Sequence, residues 1–268
     1  MDLQPSSILP LMRSAGAAVM EIYRSGELGA GEKSDQSPVT KADDASNHVL
    51  QDGLASLSEY PIVSEETEGP AGLPPSCWLL DPLDGTSNFI RHDGQFCIMA
   101  GLLLSGRPSF GAVYAPASDE MLYAQAGRGA YRAIGNSAPA RLSVSPRRLP
   151  PELRAVLSKN HLTQSEKDFI RLAGIRHVRQ TGSIGIKLGL IARGEADVYA
   201  TFAALGAWDL CAPEIILSQA GGSAYGLDGW PISYASRRLK AGVVACNGQN
   251  KSLCLQAAAR VLAAAKKA

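Results

Sequence analysis

Paired cysteines, long apolar runs and an excess of either charge are all missing from this chain of 268 residues. Lysine and arginine number 26 against 25 aspartates and glutamates, a formal net charge of +1. So even a balance gives no basic face for a nucleic acid polymer, and there is no acidic tail. No uninterrupted apolar stretch is long enough to span a bilayer, so no membrane partner is expected. Asp2 stands where a signal peptide carries positive charge, and Pro10, Arg13 and Glu21 interrupt the apolar run that follows. The protein is therefore expected to stay in the compartment where it is made. Its cysteines, Cys77, Cys97, Cys211, Cys246 and Cys254, are scattered with no CxxC pair. They read as reduced core residues, and an odd number without a signal peptide fits a cytoplasmic protein. Internal repeats and low-complexity tracts are also absent.

What is present is apolar content, 46% of residues, enough for a large core in one big domain or two fused ones. Ile8, Leu11, Ala15, Ala18, Val19 and Ile22 recur at helical spacing over 7–24. A polar loop, GEKSDQSPVT, leads to a second helix from near Thr40 to about Leu57. PIVSEE reads as a short buried strand ending in polar residues. Trp78 to Leu80 make another, followed by turn chemistry from Asp81 to Gly85 and a short helix from Thr86. Residues 97–104 and 110–114, then 120–125 and 130–132, read as antiparallel strands. Beyond them strands near 155–159, 176–179, 196–201 and 242–246 alternate with helices over 164–173, 183–192, 209–219 and 250–266. The last helix carries Lys266 and Lys267 at its C-terminal end. The first half thus reads as α+β, and the second as an α/β layer. The Pro-rich SPRRLPPE (145–152) is the boundary, giving halves 1–145 and 146–268.

Acids recur where apolar segments end. Glu65 and Glu66 follow the PIVS strand, Asp81 and Asp84 bracket Pro82-Leu83, and Asp209 opens a helix. Each alone has an ordinary reading: a DxxDG is usually a turn or a cap, Glu65-Glu66 a solvated loop, Asp209 an N-cap. Three such groups at strand ends or helix starts are harder to explain as independent caps. Clustered carboxylates repel unless a cation compensates them, and hard cations such as Mg²⁺ take carboxylates, carbonyls and water as ligands. Asp81 and Asp84, three apart, can face one site, with the Leu83 carbonyl pointing at a metal. Gly85 and Thr86 open a helix whose amides can hold a phosphate.

The segments EKSDQSPVTKAD, IVSEE, WLLDPLDGTSNF and GAWDLCAPEIILSQAGG resemble, in order and spacing, the signatures of the inositol monophosphatase superfamily. That superfamily includes inositol monophosphatases, fructose-1,6-bisphosphatases and 3′(2′),5′-bisphosphate nucleotidases. The resemblance implies a layered αβαβα sandwich and a Mg²⁺-dependent phosphatase acting on a small phosphate monoester. It makes Glu65, Asp81, the Leu83 carbonyl, Asp84 and Asp209 the ligands of about two or three Mg²⁺ ions. Asp43 and Thr86 would position or deprotonate the attacking water, with Glu65 beside them. Gly85 and Thr86 would bind phosphate, Asp84 and Asp209 would also contact the substrate, and Gly182, Ser183 and Ile184 would line the substrate pocket. A monomer or a homodimer is expected.

For the substrate, SPVTKAD, GAVYAPASDEMLYA and VLSKNH look most like bacterial 3′(2′),5′-bisphosphate nucleotidases, which hydrolyse adenosine 3′,5′-bisphosphate. Lys187 matches a lysine of those enzymes, where it would meet the second phosphate; otherwise its stem packs on the core and its ammonium reaches water. Thr201 to Ala207 hold no acid for sugar hydroxyls, which speaks against inositol. GTSNF resembles the monophosphatases, so inositol 1-phosphate or another sugar-type monophosphate stays as the alternative. A catalytically silent metal- or phosphate-binding protein is the alternative of another class, separated by a Mg²⁺-dependent phosphate-release assay.

The resemblance also implies lithium inhibition, since a monovalent ion in place of Mg²⁺ undercharges the site when phosphate must leave. LiCl is expected to inhibit phosphate release far below the concentration at which NaCl does. Coincident curves for the two salts would refute it.

Overall fold

A computed structural model of the chain describes residues 5–32, 38–239 and 241–265. Asp2, positions 33–37 of the first signature segment, and Lys266 and Lys267 lie outside the described residues. Helix α1 (Pro5–Ser25) buries Ile8, Met12, Ala15 and Val19, which the helical period places on one face. The antiparallel pair β1 (Gly31–Glu32) and β2 (Pro38–Val39) leads to α2 (Lys41–Leu57), which buries Ala42, Leu50 and Leu54. Together α1 and α2 form the first layer.

The second layer is a seven-stranded sheet. It comprises β3 (Ile62–Ser64), β4 (Cys77–Asp84), β5 (Cys97–Leu104), β6 (Arg107–Ala115), β7 (Glu120–Gln125), β8 (Gly129–Ile134) and β9 (Ala140–Arg141) in chain order. Helix α3 (Thr86–Ile90) sits between β4 and β5. Only β3 and β4 run parallel; the other neighbours are antiparallel. A strand buried on both faces must be apolar at every position, and the period of two then sorts its side chains. Trp78 and Leu80 join Ile8, Met12, Leu50 and Leu54 beneath α1 and α2. Cys77 and Leu79 face the other way, toward Leu188, Cys211 and Ile216.

The rest of the chain alternates: β10 (Arg154–Ser158), α4 (Gln164–Leu172), β11 (His177–Thr181), α5 (Ile184–Ala192), β12 (Val198–Thr201), β13 (Leu205–Gly206), α6 (Ala207–Gln219), β14 (Ser223–Gly226), β15 (Arg238–Leu239), β16 (Val243–Cys246) and α7 (Lys251–Ala265). A five-stranded sheet takes the order β11-β10-β12-β16-β14, with β10 parallel to β11 and β12, and β16 antiparallel to β12 and β14. Helices α5 and α6 fill the space between the two sheets. On the far face, Leu157, Val198 and Val244 pack against Phe169 of α4 and Cys254 of α7. The order of layers is therefore helices, sheet, helices, sheet, helices, the expected αβαβα sandwich. All five cysteines are buried and free, as read from the sequence. No helix of the described residues is long and apolar enough to cross a membrane.

One local expectation changes, and one strand was not read. Asp81 to Asp84 is not a turn but the end of β4, carrying one extra residue. Asp81 pairs with Met99 and Asp84 with Cys97, so three steps on β4 oppose two on β5. A proline is tolerated in a sheet at such a bulge, and Pro82 occupies it. Position β14 was not legible, because Ser223-Ala-Tyr-Gly is too short and mixed to carry a strand pattern. The Pro-rich stretch 145–152 is also anchored: buried Asp197 accepts from Arg147 Nε at 2.8 Å and Arg154 N at 2.7 Å, and Ser145 Oγ bonds it too.

Helix α6 lies directly on the first sheet because two glycines let it. A Cβ on Gly111 would stand 2.6 Å from the Ala212 carbonyl oxygen and 2.7 Å from Ala212 Cα; one on Gly101 would stand 2.8 Å from Ala212 N. These neighbours are backbone and cannot rotate away. Gly111→Ala is therefore expected to push α6 outward and cost about 1–3 kcal/mol. A thermal midpoint lowered by roughly 2–12 °C is the readout. An unchanged midpoint would mean that the helix does not sit where these contacts put it.

Candidate active site

Parallel pairing of β3 and β4 brings the first two acids together. Ser64 is in register with Leu80, so the next residues, Glu65 and Asp81, emerge side by side. The Glu65 amide extends the ladder by donating to the Leu80 carbonyl at 3.0 Å. The third acid comes from the first turn of α6, which the two glycines seat against the same sheet. Glu65, Asp81 and Asp209 place carboxylate oxygens within 4.8 Å of one another.

Asp81 is 2% exposed, and its Oδ1 accepts from the Leu83 amide at 3.1 Å. Burial pushes its pKa well above the ordinary carboxylate value, and Glu65, Asp84, Asp209 and Asp43 push it further. Asp209 is raised for the same two reasons, burial first and then Glu65 and Asp84. Asp209 is not the N-cap of α6. Gly206 is, and Asp209 stands three residues further in, its Oδ2 reaching back to the Gly206 amide at 2.7 Å.

Asp84 lies outside this trio. Its Oδ2 accepts from Ser183 Oγ at 2.6 Å and from the Gly185 amide at 2.8 Å, at the start of α5. Ser183 holds a φ of 52°, a left-handed conformation uncommon for a residue with a Cβ, and caps α5 by accepting from Ile186 N at 3.1 Å. Ile184 is buried beside it. The Gly182 amide is taken up by Gln95 Oε1 at 2.8 Å.

On the other flank Asp43 belongs to the cap of α2. Its Oδ2 accepts from both Thr40 N and Thr40 Oγ1 at 2.7 Å. Its Oδ1 lies 3.3 Å from Thr86 Oγ1, which is also 3.1 Å from the Leu83 carbonyl. Gly85, before Thr86, has φ 96°, and a Cβ there would meet the Gln95 carbonyl at 2.9 Å.

Lys187, one turn into α5, is only 5% exposed, so its ammonium does not reach water in the way a snorkelling lysine would. Its Nζ lies 5.5 Å from the centre of the Tyr199 ring. Burial lowers its pKa, while Asp84 and, less strongly, Asp209 pull it back up. The lysine is thus a positive charge beside Asp84 and, less closely coupled, Asp209. Two participants escaped the sequence reading, Gln95 and Arg237. Gln95 carries no signal in the sequence. Arg237, one of an arginine pair in SRR, bonds the Ser64 carbonyl at 2.8 Å, and that only the tertiary structure reveals.

The donor set of the trio is all carboxylate oxygen. That suits a hard cation, which would offset the mutual repulsion of the carboxylates. An αβαβα sandwich with a carboxylate trio, centred on buried Asp81, where two parallel strands end and a helix begins defines a cation-assisted hydrolytic site as a class. Comparison with known proteins narrows it. The model of the inositol monophosphatase family matches residues 7–263, and the chain belongs to that family. It is a phosphatase, a hydrolase of phosphoric monoesters. The 3′(2′),5′-bisphosphate nucleotidase CysQ of Escherichia coli is 34% identical over 86% of this chain and 93% of that protein. The inositol-1-monophosphatase of Bacillus subtilis is 26% identical over 83% and 85%. Among solved structures, CysQ of Bacteroides thetaiotaomicron superposes with TM-score 0.74 at 27% identity, covering 88% of this chain and 94% of that one. A Thermotoga maritima IMPase superposes with TM-score 0.81 at 24% identity, covering 94% and 95%.

The raised carboxyls have a signed consequence for the metal-free protein. Above the ordinary carboxylate pKa, the folded chain still holds protons that the unfolded chain has released. Stability without metal therefore falls as pH rises from that ordinary value through the raised one. In chelator, the thermal midpoint is expected to be higher near pH 5 than near pH 7.5, and Asp81→Asn to flatten the difference by about 1 kcal/mol or more. Equal pH slopes for the two proteins would remove Asp81 from the cluster.

Proposed function

We propose that the chain is a Mg²⁺-dependent 3′(2′),5′-bisphosphate nucleotidase that hydrolyses adenosine 3′,5′-bisphosphate to AMP and phosphate. The observation that carries the metal part is the Glu65–Asp81–Asp209 trio, all oxygen and within 4.8 Å. Those residues, with Asp84 and the Leu83 carbonyl, would hold the ions. Bound there, magnesium supplies charge compensation to the phosphoryl group and acidifies water.

The chain's own groups do the rest. Thr86 Oγ1 has two acceptors in reach, the Asp43 carboxylate and the Leu83 carbonyl. Its single proton is thereby committed inward, and its lone pairs are left to accept a hydrogen from the attacking water. Asp43 fixes that orientation, and Glu65 would hold the same water from the cation side. Gly85, which only a residue without Cβ can occupy, lets the chain turn into α3 close to the phosphate. Asp84 joins the site to Ser183 and the Gly182–Ile184 pocket segment.

The substrate assignment draws support from the CysQ relatives and from Lys187. An inositol- or sugar-type monophosphatase is the second reading, favoured by the GTSNF segment and the Bacillus subtilis relative. One experiment separates them: kcat/KM on adenosine 3′,5′-bisphosphate, inositol 1-phosphate and fructose 1,6-bisphosphate, for the wild type and Lys187→Ala. The wild type is expected to prefer the nucleotide. The variant is expected to lose roughly 2 kcal/mol, some tens-fold in KM, for the nucleotide alone. An equal change on all substrates, or none, would strip Lys187 of a specificity role, and a preference for inositol 1-phosphate would overturn the nucleotidase reading.

A further inference from the structure

Glu65 and Asp209 are 144 residues apart and sit on elements that do not pair with each other. One residue touches the flanks of both. Arg237 Nη2 donates to the Ser64 carbonyl at 2.8 Å and to the Thr67 carbonyl, the residues on either side of Glu65-Glu66. Its guanidinium carbon lies 5.1 Å from the centre of the Trp208 ring, the residue before Asp209. The backbone of Arg237 repeats the link. Its amide donates to the Ala71 carbonyl at 2.8 Å, and its carbonyl accepts from Ala207 N, the first residue of α6, at 2.8 Å. Around it, Leu73 N donates to the Ala235 carbonyl at 3.2 Å, β15 pairs Arg238 with Gly206, and Tyr234 bonds Glu214 on α6.

We infer that Arg237 is a positioning residue for the cation site: the 234–239 strap, through Arg237, sets the separation of the Glu65 carboxylate from the Asp209 carboxylate. This rests on the reading of Glu65, Asp81 and Asp209 as cation ligands. Asp81 needs no such device, because strand register already fixes it beside Glu65. Asp209 does, because no sheet pairing joins α6 to the loop that follows β3. A guanidinium suits the task since one planar group can bond two carbonyls and stack on an indole together. A lysine at this position can reach a carbonyl, but it cannot fork and stack at once.

Residues that orient metal ligands from behind typically change metal affinity by about 10–100-fold when removed. The test is Mg²⁺ binding to the full chain by titration calorimetry after chelation, alongside the thermal midpoint in chelator. Wild type, Arg237→Ala, Arg237→Lys and Glu65→Gln are compared. Arg237→Ala is expected to weaken Mg²⁺ binding by roughly tenfold or more, and Arg237→Lys by less. The activation curve for Mg²⁺ should shift by the same factor, with kcat recovering at high Mg²⁺. A purely structural arginine would lower the midpoint and leave Mg²⁺ affinity alone. If Glu65→Gln loses Mg²⁺ affinity while both arginine variants stay within about twofold of wild type, the positioning role is refuted and the metal reading stands. If Glu65→Gln binds Mg²⁺ as the wild type does, the metal reading falls, and the inference with it. Should Arg237→Ala not fold, the Arg237→Lys comparison alone decides between these outcomes.

Discussion

Carboxylates crowded away from water are the condition around which this chain is arranged. Asp81 is almost wholly buried, and the carboxylate oxygens of Glu65 and Asp209 stand within 4.8 Å of its own. Desolvation and like-charge repulsion both disfavour that arrangement. It persists because the acids sit on elements whose packing is settled elsewhere. β4 is apolar on both faces and locked between α1 and α2 on one side and α5 and α6 on the other. Its tip has no freedom to retreat into solvent. The extra residue at Pro82 then turns the last part of the strand, so that Asp81 and Asp84 serve two neighbourhoods, the trio and the Ser183 corner.

The sequence made the layers legible because each buried strand and helix carries its period in apolar residues. β4 and β5 read as continuous apolar runs, and α1 shows the helical stripe. The five-layer order came from the resemblance, and the distribution of core residues bears it out. The acids were legible as strand-end and helix-start residues. What was not legible depended on partners remote in the chain. The bulge at Asp81–Asp84 requires knowing that β5 opposes it. The burial of Lys187 requires knowing that α5 lies between two sheets, since an isolated lysine in an apolar stretch reads equally well as a snorkelling one. Arg237 is a solvated arginine by every local criterion until Ser64, Thr67 and Trp208 are brought beside it.

Lys187 shows how the site limits its own repulsion. A buried ammonium costs desolvation, and that is why its pKa is lowered. Asp84 is the strongest opposing influence and Asp209 a weaker one, so lysine and acids each reduce the other's penalty without forming a direct ion pair among the described residues. A neutral residue at position 187 would leave the cluster more negative.

Capping and site chemistry compete as explanations when Asp84 and Asp209 are read from sequence, but in the folded chain they are the same fact, and Asp43 shows it too. Asp43 gives Oδ2 to Thr40 and turns Oδ1 toward Thr86. Asp209 gives Oδ2 to Gly206 and still lies in the trio. Asp84 gives Oδ2 to the first turn of α5, and Asp81 gives Oδ1 to Leu83. In each case one oxygen of a two-oxygen group is spent on backbone or an adjacent hydroxyl. That bond fixes the carboxylate plane and leaves the group little rotamer freedom to lose when a ligand arrives. The same bond supplies part of the stabilisation that offsets repulsion before any cation is present. A glutamate or aspartate held only by a cation would collapse toward solvent without it. Helix capping therefore supplies the preorganisation that the proposed hydrolysis requires, and a substitution that spared the charge but broke the cap would damage both at once.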